Sequence, residues 1–374
     1  MDNGIKTSEK RRGFIASLPL FSKIFYVCGI VSVFLYFAYT VSESFSDFFN
    51  RYISSFFRAV LAYLTRLIPF SLAELLLLSI PLIVAVIVIW GNRHYVDSWR
   101  DVAVFCVALI SLLAYFFSIF TLSFAPGYHG TTLDKKLGIE RREVSTEELY
   151  NTAMILVDKV NEEGENVAFV TQSFSVMPYT VSEMNYKLID AYGTFCEKHT
   201  FIQKLDSRIK PVMLSEAMSY THITGVYTFF TGEANLNVAF PDYTLPFTAA
   251  HELAHQRGVA REDEANFIAY LVCIESGDPY IRYSGYMNLF EYVTNALYRA
   301  DPNLYMDVMG RLSLQSRYEM MAYADFFDKY RDSVASEISG AVNDTYLTIQ
   351  GTEGTRSSGM VVDLAVAYYG KEKS

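Results

Sequence analysis

The residues best suited to chemistry lie in PFTAAHELAHQRGVAREDEANFIAY, residues 246–270. His251 and His255 are four residues apart, so on a helix both imidazoles face the same side and can reach one metal ion. Glu252 is offset by about 100° and can contact a water bound to that metal. This HExxH spacing is typical of zinc sites in which the metal is a Lewis acid and the Glu is a general base. One Zn2+ per chain is therefore predicted.

A catalytic zinc site needs a third protein ligand and one open position. Gly258 is predicted to end the first helix in a left-handed turn, and a second helix then begins with Glu262, Asp263 and Glu264. We favour Glu262 as the third ligand, because it shares a helix face with Asn266, whose amide could orient a ligand. Glu264 remains the alternative third ligand, and Asp263 is the weakest of the three.

Two other interpretations of this stretch involve no catalysis. An ordinary charged helix would need no histidine pair, and a structural zinc site more often uses four side chains, usually with cysteine. Cys273 lies about three turns beyond Glu262 along the second helix, which is too far to join. The general base Glu252 favours a catalytic site. A non-catalytic zinc-binding scaffold or sensor domain in the cell envelope is the alternative.

Four further residues are candidates for contacts with a substrate or a transition state. A peptide can bind as an added strand on a sheet edge, and GVYTFFTGEANLNV could supply that edge, with Glu233 and Asn235 near the cleft. Arg282 or Tyr283 could stabilise the oxyanion of a tetrahedral intermediate. A core strand with a polar turn, and a helix start with a packed Tyr, are the plainer interpretations of these two segments.

These motifs resemble the gluzincin metallopeptidases, in which a Glu on a second helix completes HExxH. In the prenyl-protease-like gluzincins that helix carries ExxAD. Here Glu262 matches the ligand, Asn266 replaces the Asp, and the two motifs stand closer together. The pattern HExxHxxG also occurs in metzincins, but Arg261 stands where their third His would be.

The whole chain resembles a poorly characterised family of bacterial membrane proteins with three N-terminal transmembrane helices and an extracytoplasmic gluzincin-like domain. The segments GVYTFFTGEANLN, LPFTAAHELAHQRGVAREDEANFIAYL, RYSGY and VNDTYL fit that family. The resemblance implies a membrane-bound zinc metallopeptidase that hydrolyses peptides or proteins. His251, His255 and Glu262 would be its ligands and Glu252 its base.

The rest of the chain divides into a membrane domain, 1–124, and a zincin-like domain, 125–374, which gives a membrane-anchored, helix-dominant α+β fold. Three apolar segments, at about 24–41, 72–90 and 102–124, are long enough to cross a bilayer, which needs about 20 residues. In the second domain, one or two strands with a turn at Gly232 precede the metal helix. Helices are predicted at about 248–257, 262–276, 284–300, 303–309, 314–346 and 358–369.

The charges indicate where each part lies. Basic residues before the first span favour a cytoplasmic N-terminus, so three crossings place residues 125–374 outside the cytoplasm of a multi-pass protein. The first loop, RYISSFFRAVLAYLTRLIPF, is amphipathic and is predicted to lie in the membrane interface, which suits a membrane-proximal substrate. The net charge of -10 argues against nucleic acid as a partner. The basic residues of the N-terminal segment are Lys6, Lys10, Arg11, Arg12 and Lys23.

Overall fold

The protein is a helix-dominant α+β fold with one small sheet. A computed structural model describes residues 13–95, 97–170, 174–331, 333–350 and 360–372. The basic residues before residue 13 and the start of the predicted helix 358–369 lie outside them. The α-helices are α1 (Phe14–Ser17), α2 (Leu20–Val41), α3 (Glu43–Phe48), α4 (Ser55–Arg66), α5 (Leu72–His94), α6 (Trp99–Ser123), α7 (Pro126–His129), α8 (Leu133–Leu137), α9 (Thr146–Gly164), α10 (Val181–Lys198), α11 (Ser215–Ser219), α12 (Leu245–Gln256), α13 (Glu262–Ile274), α14 (Pro279–Ala300), α15 (Pro302–Arg311), α16 (Leu314–Asp328), α17 (Val334–Ile349) and α18 (Val361–Glu372).

Three of these helices, α2, α5 and α6, are long and apolar enough to cross a membrane. They contain 22, 23 and 25 residues, and most of their side chains are not covered by the rest of the protein. A helix of about 20 residues spans the hydrocarbon core of a bilayer. The prediction of three N-terminal helices that could span a membrane is therefore confirmed.

Helices α2 and α6 pack closely and run in the same direction. Tyr26 donates to the Val107 carbonyl at 2.7 Å, and thirteen residues later Tyr39 donates to the Thr121 carbonyl at 3.3 Å. A Cβ added at Gly29 would lie 2.9 Å from a side-chain carbon of α6. Small residues at such crossings let membrane helices approach. Because α2 and α6 are parallel, their C-terminal ends lie at the same end of the pair. The segment that follows α2, with α3 and α4, and the segment that follows α6 therefore both begin there.

A π-helical segment, Phe49–Ser54, leads into α4. The sequence predicted an interfacial helix here, yet Arg58 is buried, with 1% of its surface exposed. Its guanidinium donates to the Asn50 side chain at 2.8 Å and to the Ser123 carbonyl at 2.8 Å. A buried guanidinium needs such partners. Arg58 thus ties the first loop to the end of α6.

A buried ion pair holds the N-terminus of α5. Lys210 Nζ lies 3.1 Å from Glu233 Oε1, and the two side chains are 1% and 0% exposed. The Glu233 carboxylate also accepts from the backbone N–H groups of Leu72 and Ala73, at 3.1 and 3.0 Å. Lys210 donates to three backbone carbonyl groups between residues 65 and 70. A carboxylate at a helix N-terminus is stabilised by the helix dipole.

The sheet has three short strands, β1 (Ile209–Pro211), β2 (Gly225–Thr228) and β3 (Glu233–Leu236). Their order is β1-β3-β2, with β1 parallel and β2 antiparallel to β3. Gly232 has φ +69°, so it supplies the predicted turn between β2 and β3 without a steric penalty. Strand β2 lies at the edge, and α12 packs against both β2 and β3.

The main hydrophobic core lies among α9, α13 and α14. The capping box of Ser145 and Glu148, which starts α9, is present. One predicted helix, 314–346, is wrong because it is two helices, α16 and α17. The break arises where Ser333 accepts from the Ser336 N–H and caps a new helix.

Candidate metal centre

Helix α12 carries HELAH and begins one turn earlier than predicted. Its first turn contains Pro246, whose fixed φ and missing N–H suit that position. Both faces of α12 are covered, because β2 and β3 pack on one side and α13 on another. The side chain of His251 is 13% exposed and that of His255 is 8% exposed. Thr248, His251, Glu252 and His255 of this helix face one opening.

Three side chains converge at this opening. The closest approaches are 3.3 Å between His251 Nε2 and Glu262 Oε2, and 3.5 Å between His255 Nε2 and Glu262 Oε1. One ligand atom from each residue lies within 4.8 Å of the other two. Ligand atoms about 2.1 Å from a tetrahedral zinc ion lie about 3.4 Å from one another, and both contacts of Glu262 are close to that separation. Two imidazole nitrogens and a carboxylate oxygen form a donor set that zinc favours.

The orientation of His255 is set by the turn after α12. His255 Nδ1 lies 2.7 Å from the Val259 carbonyl, which leaves Nε2 facing Glu262. Gly258 has φ +94°, as the predicted left-handed turn requires, and its carbonyl accepts from Asn50 Nδ2 at 3.0 Å. The π-helical segment Phe49–Ser54 therefore supports the turn that holds this histidine.

The two glutamates considered for the third position have different surroundings. Glu262, the first residue of α13, is the one that the fold brings to the histidines. Glu264 Oε1 instead accepts from the Leu133 N–H at 2.9 Å and from Arg261 Nη1 at 2.9 Å. Asp263 pairs with Arg141 at 2.7 Å. Glu264 and Asp263 thus hold α13 to other parts of the chain.

Glu252 lies beside the triad and is almost fully buried, at 4% exposure. Its Oε2 has no protein partner within the described residues. A Cβ added at Gly225 would lie 2.7 Å from Glu252 Oε1. Glycine at that position of β2 therefore leaves the space that Glu252 occupies.

Burial and charge shift the pKa values of these groups. Burial raises the pKa of Glu252. Burial alone would also raise the pKa of Glu262, but the charges and hydrogen bonds of His255 and His251 hold it well below its usual range. Burial alone would lower the pKa of His255, but the Glu262 carboxylate raises it to about 9. Glu262 is therefore ionised at neutral pH, which is the form in which a carboxylate binds a metal.

Asn266 lies one turn after Glu262 and faces the same cleft. It is 4% exposed and hydrogen-bonds with Tyr292 of α14. Burial, followed by the charge of Glu262, raises the pKa of Tyr292 to about 12. The phenol is thus a neutral donor close to the triad at physiological pH.

Two of the predicted substrate contacts, Arg282 and Tyr283, do not reach the cleft. Arg282 Nε lies 2.7 Å from Glu163 Oε1, and the Tyr283 hydroxyl donates to Ser316 Oγ at 3.2 Å. Tyr292 is nine residues after Tyr283, which places it about 180° around α14. Tyr292, and not Tyr283, is therefore the tyrosine of α14 that lines the cleft.

The other two predicted contacts, Glu233 and Asn235, belong to the interior of the sheet. Glu233 is engaged by Lys210 and α5, and Asn235 Nδ2 donates to the Val226 carbonyl at 3.1 Å. Both are 1% exposed. The plainer interpretation of β3, a core strand, is the one that fits. The neighbouring edge strand β2 lines the cleft instead, through Gly225, Val226 and Tyr227.

The cleft around the triad has a volume of about 860 Å³. Four aromatic residues that the sequence did not single out as site residues line it: Phe124, Tyr128, Tyr292 and Tyr346, the last within the segment VNDTYL. Phe124 follows the last residue of α6, and its ring centroid lies 5.9 Å from that of His255. One of these residues, Tyr292, could have been found from helical spacing. Asn288 lies four residues before it, on the same face of α14, and lines the same cleft.

Comparison with known families places the chain in one of them. The family described as "Protein of unknown function (DUF3810)" matches residues 45–366, which is most of the sequence. The chain therefore belongs to this family. The match includes the second and third apolar helices, the sheet, and both helices of the triad. No curated protein and no solved structure matches the chain.

Proposed function

We propose that this protein is a membrane-bound, zinc-dependent metallopeptidase. The observation that carries the proposal is the convergence of His251, His255 and Glu262 within 4.8 Å, next to the buried carboxylate of Glu252. A non-catalytic zinc scaffold has no use for a base with an unpartnered oxygen at this place. Hydrolysis therefore accounts for more of the site than metal storage or sensing does.

The residues present suit one zinc ion. The donor set is two nitrogens and one oxygen, and the Val259 carbonyl fixes the tautomer of His255 as zinc ligation requires. Bound there, zinc would supply Lewis acidity for attack of water on a peptide carbonyl. Glu252 takes the proton of the attacking water at Oε2 and passes it to the leaving amine.

Other residues would bind and orient the substrate. A peptide laid along the edge strand β2 would run beside Val226, which is 39% exposed and lines the cleft. Asn266 of α13 and Tyr292 of α14 also line the cleft, and the neutral phenol of Tyr292 can donate a hydrogen bond to an oxygen of the substrate. The general base, the edge strand and the phenol donor thus all line the cleft in which the substrate would bind.

The cleft is proposed to lie outside the cytoplasm. Three apolar helices separate the basic N-terminal segment from the residues of the triad. An odd number of crossings puts these on opposite sides, and basic flanks favour the cytoplasm. The peptidase part is accordingly assigned to the extracytoplasmic face of a cell membrane.

The zinc ligands can be tested with a matched pair of substitutions. Glu262→Gln is expected to lower the zinc content of the purified full-length protein from one per chain to near zero after dialysis, because it removes an anionic ligand. Glu264→Gln should keep one zinc, and its amide oxygen still accepts from the Leu133 N–H. Zinc is measured by plasma mass spectrometry, with thermal unfolding as the check on folding. Loss of zinc in Glu264→Gln alone would reverse the assignment.

A further inference from the structure

Helix α17 carries an apolar stripe that no part of the described chain covers. Val334, Ile338, Val342 and Ile349 are 69%, 62%, 65% and 70% exposed. Steps of four and seven residues keep these side chains on one side of the helix. Four large aliphatic side chains in a row are more than the scattered apolar residues that soluble surfaces tolerate. We therefore expect another molecule to cover the stripe.

Another face of α17 forms a wall of the metal cleft. Small and polar side chains from this face line the cleft, and Tyr346 lines it near the end of the helix. Val342 sits at the border, so it belongs to the stripe and also touches the cleft. Only the helix itself therefore separates whatever covers the stripe from the cleft. The other cleft-lining residues on this face are Ser336, Ser339, Gly340 and Asn343.

The C-terminal end of α17 is attached to two of the apolar helices. Leu347 is 1% exposed and belongs to the cluster that includes Phe120 of α6. The Tyr36 hydroxyl of α2 donates to Gln350 Oε1 at 3.0 Å. Phe37, next to Tyr36, is 65% exposed on the outside of α2. The end of the stripe at Ile349 therefore lies next to α2, one of the helices long and apolar enough to cross a membrane.

The cleft itself lies at the level where α6 ends. The Phe229 ring, which lines the cleft, is 5.3 Å from Phe120, and the Phe230 ring is 5.8 Å from Phe116. Phe116 lies seven residues before Ser123, the end of α6, and so about 10 Å along the helix. The tip of the β2–β3 hairpin thus reaches beside the apolar part of α6.

We propose that α17 lies in the interfacial layer of the bilayer, with its apolar stripe among the acyl chains. The cleft behind it then opens at the membrane surface. The helix has no Lys or Arg, and Glu337 and Asp344 lie about 100–120° from Ile338 around the helix, outside the stripe, so apolar contact rather than headgroup charge drives its binding. A lipid occupant is favoured over a second protein, because the end of α17 is attached to α2 and α6, two helices long and apolar enough to cross a membrane. Resting on the proposed peptidase function, the substrate class is a polypeptide anchored in the membrane and cut close to it.

Contact with lipid is tested by fluorescence quenching on the full chain in nanodiscs. The two native tryptophans, Trp90 and Trp99, are replaced by Phe, and a single Trp is introduced as Ile338→Trp or as Glu337→Trp. The two positions differ by about 100° around the helix. Phosphatidylcholine brominated on its acyl chains should quench Trp at 338 about two-fold or more relative to unbrominated lipid, and Trp at 337 much less, because only the stripe is in the acyl layer. Equal, weak quenching at both positions contradicts the proposal, and so does shielding of 338 by a second copy in dimeric particles.

The substrate class is tested separately, by comparing cleavage of a free peptide with cleavage of a membrane-anchored one. One randomised peptide is offered either free in solution or fused to a transmembrane anchor in the same nanodisc. Val334→Ser with Ile338→Ser should lower cleavage of the anchored peptide several-fold and leave cleavage of the free peptide unchanged, because neither residue lines the cleft. An equal loss on both peptides overturns the substrate class. Cleavage of neither peptide by the wild type overturns the peptidase function, whereas the quenching result decides the lipid contact alone.

Discussion

Glu252→Gln is expected to keep zinc bound while lowering peptide hydrolysis by about 10²–10⁴-fold, the range for loss of a general base. The amide has nearly the same shape as the carboxylate, so the helix and the two histidines keep their places. It cannot take a proton from water at neutral pH. N-terminal profiling of membrane and envelope proteins, from cells with the wild type or the variant, measures the cleavage.

A matched control for that experiment is Glu319→Gln. Glu319 is also buried, at 0% exposure, and its Oε2 likewise has no protein partner within the described residues, but it accepts from the Ser175 N–H and does not line the cleft. The Glu319→Gln variant should therefore cleave peptides at the wild-type rate. If Glu252→Gln produced the same new N-termini as fast as the wild type, Glu252 would not be the base.

Lys210→Met is expected to lower the free energy of unfolding by about 3–5 kcal/mol, because it leaves a buried carboxylate without its counter-charge. Glu233 would retain only the N–H groups of Leu72 and Ala73, and three backbone carbonyls would lose the ammonium group. Unfolding by denaturant in micelles measures the change. Lys198→Met removes a partly exposed pair with Glu275 and should cost about 1 kcal/mol or less.

The double variant Lys210→Met with Glu233→Gln separates the ion pair from the packing. Removing both charges relieves the unpaired carboxylate, so the double variant should be more stable than Lys210→Met alone. If the two changes were additive instead, the pair would contribute no coupling energy. The anchoring of α5 would then rest on other contacts.

The sequence predicted those features that local spacing determines. The lengths of the apolar runs gave three helices that could cross a membrane, and Gly232 and Gly258 marked two turns that need positive φ. HExxH placed His251 and His255 on one face of α12, because four residues make about one helical turn. Each of these inferences uses information within a few residues of the feature.

Features that depend on long-range packing were not predictable in the same way. Glu233 looked like a cleft residue because its strand precedes α12, but burial against Lys210 engages it elsewhere. Phe124 and Tyr346 meet at the cleft from segments more than two hundred residues apart, and no local pattern links them. The break between α16 and α17 depends on one serine cap within a continuous helical pattern.

The most direct test of the central claim is the metal content and zinc X-ray absorption spectrum of the purified full-length protein. The predicted result is one zinc per chain, with two imidazole nitrogens and light oxygen ligands at about 2.0–2.2 Å. The four cysteines are free, and none belongs to the triad, so no sulfur should appear at about 2.3 Å. Absence of zinc from protein prepared with zinc present, or a sulfur ligand in the spectrum, would contradict the assignment of His251, His255 and Glu262 as a catalytic zinc site.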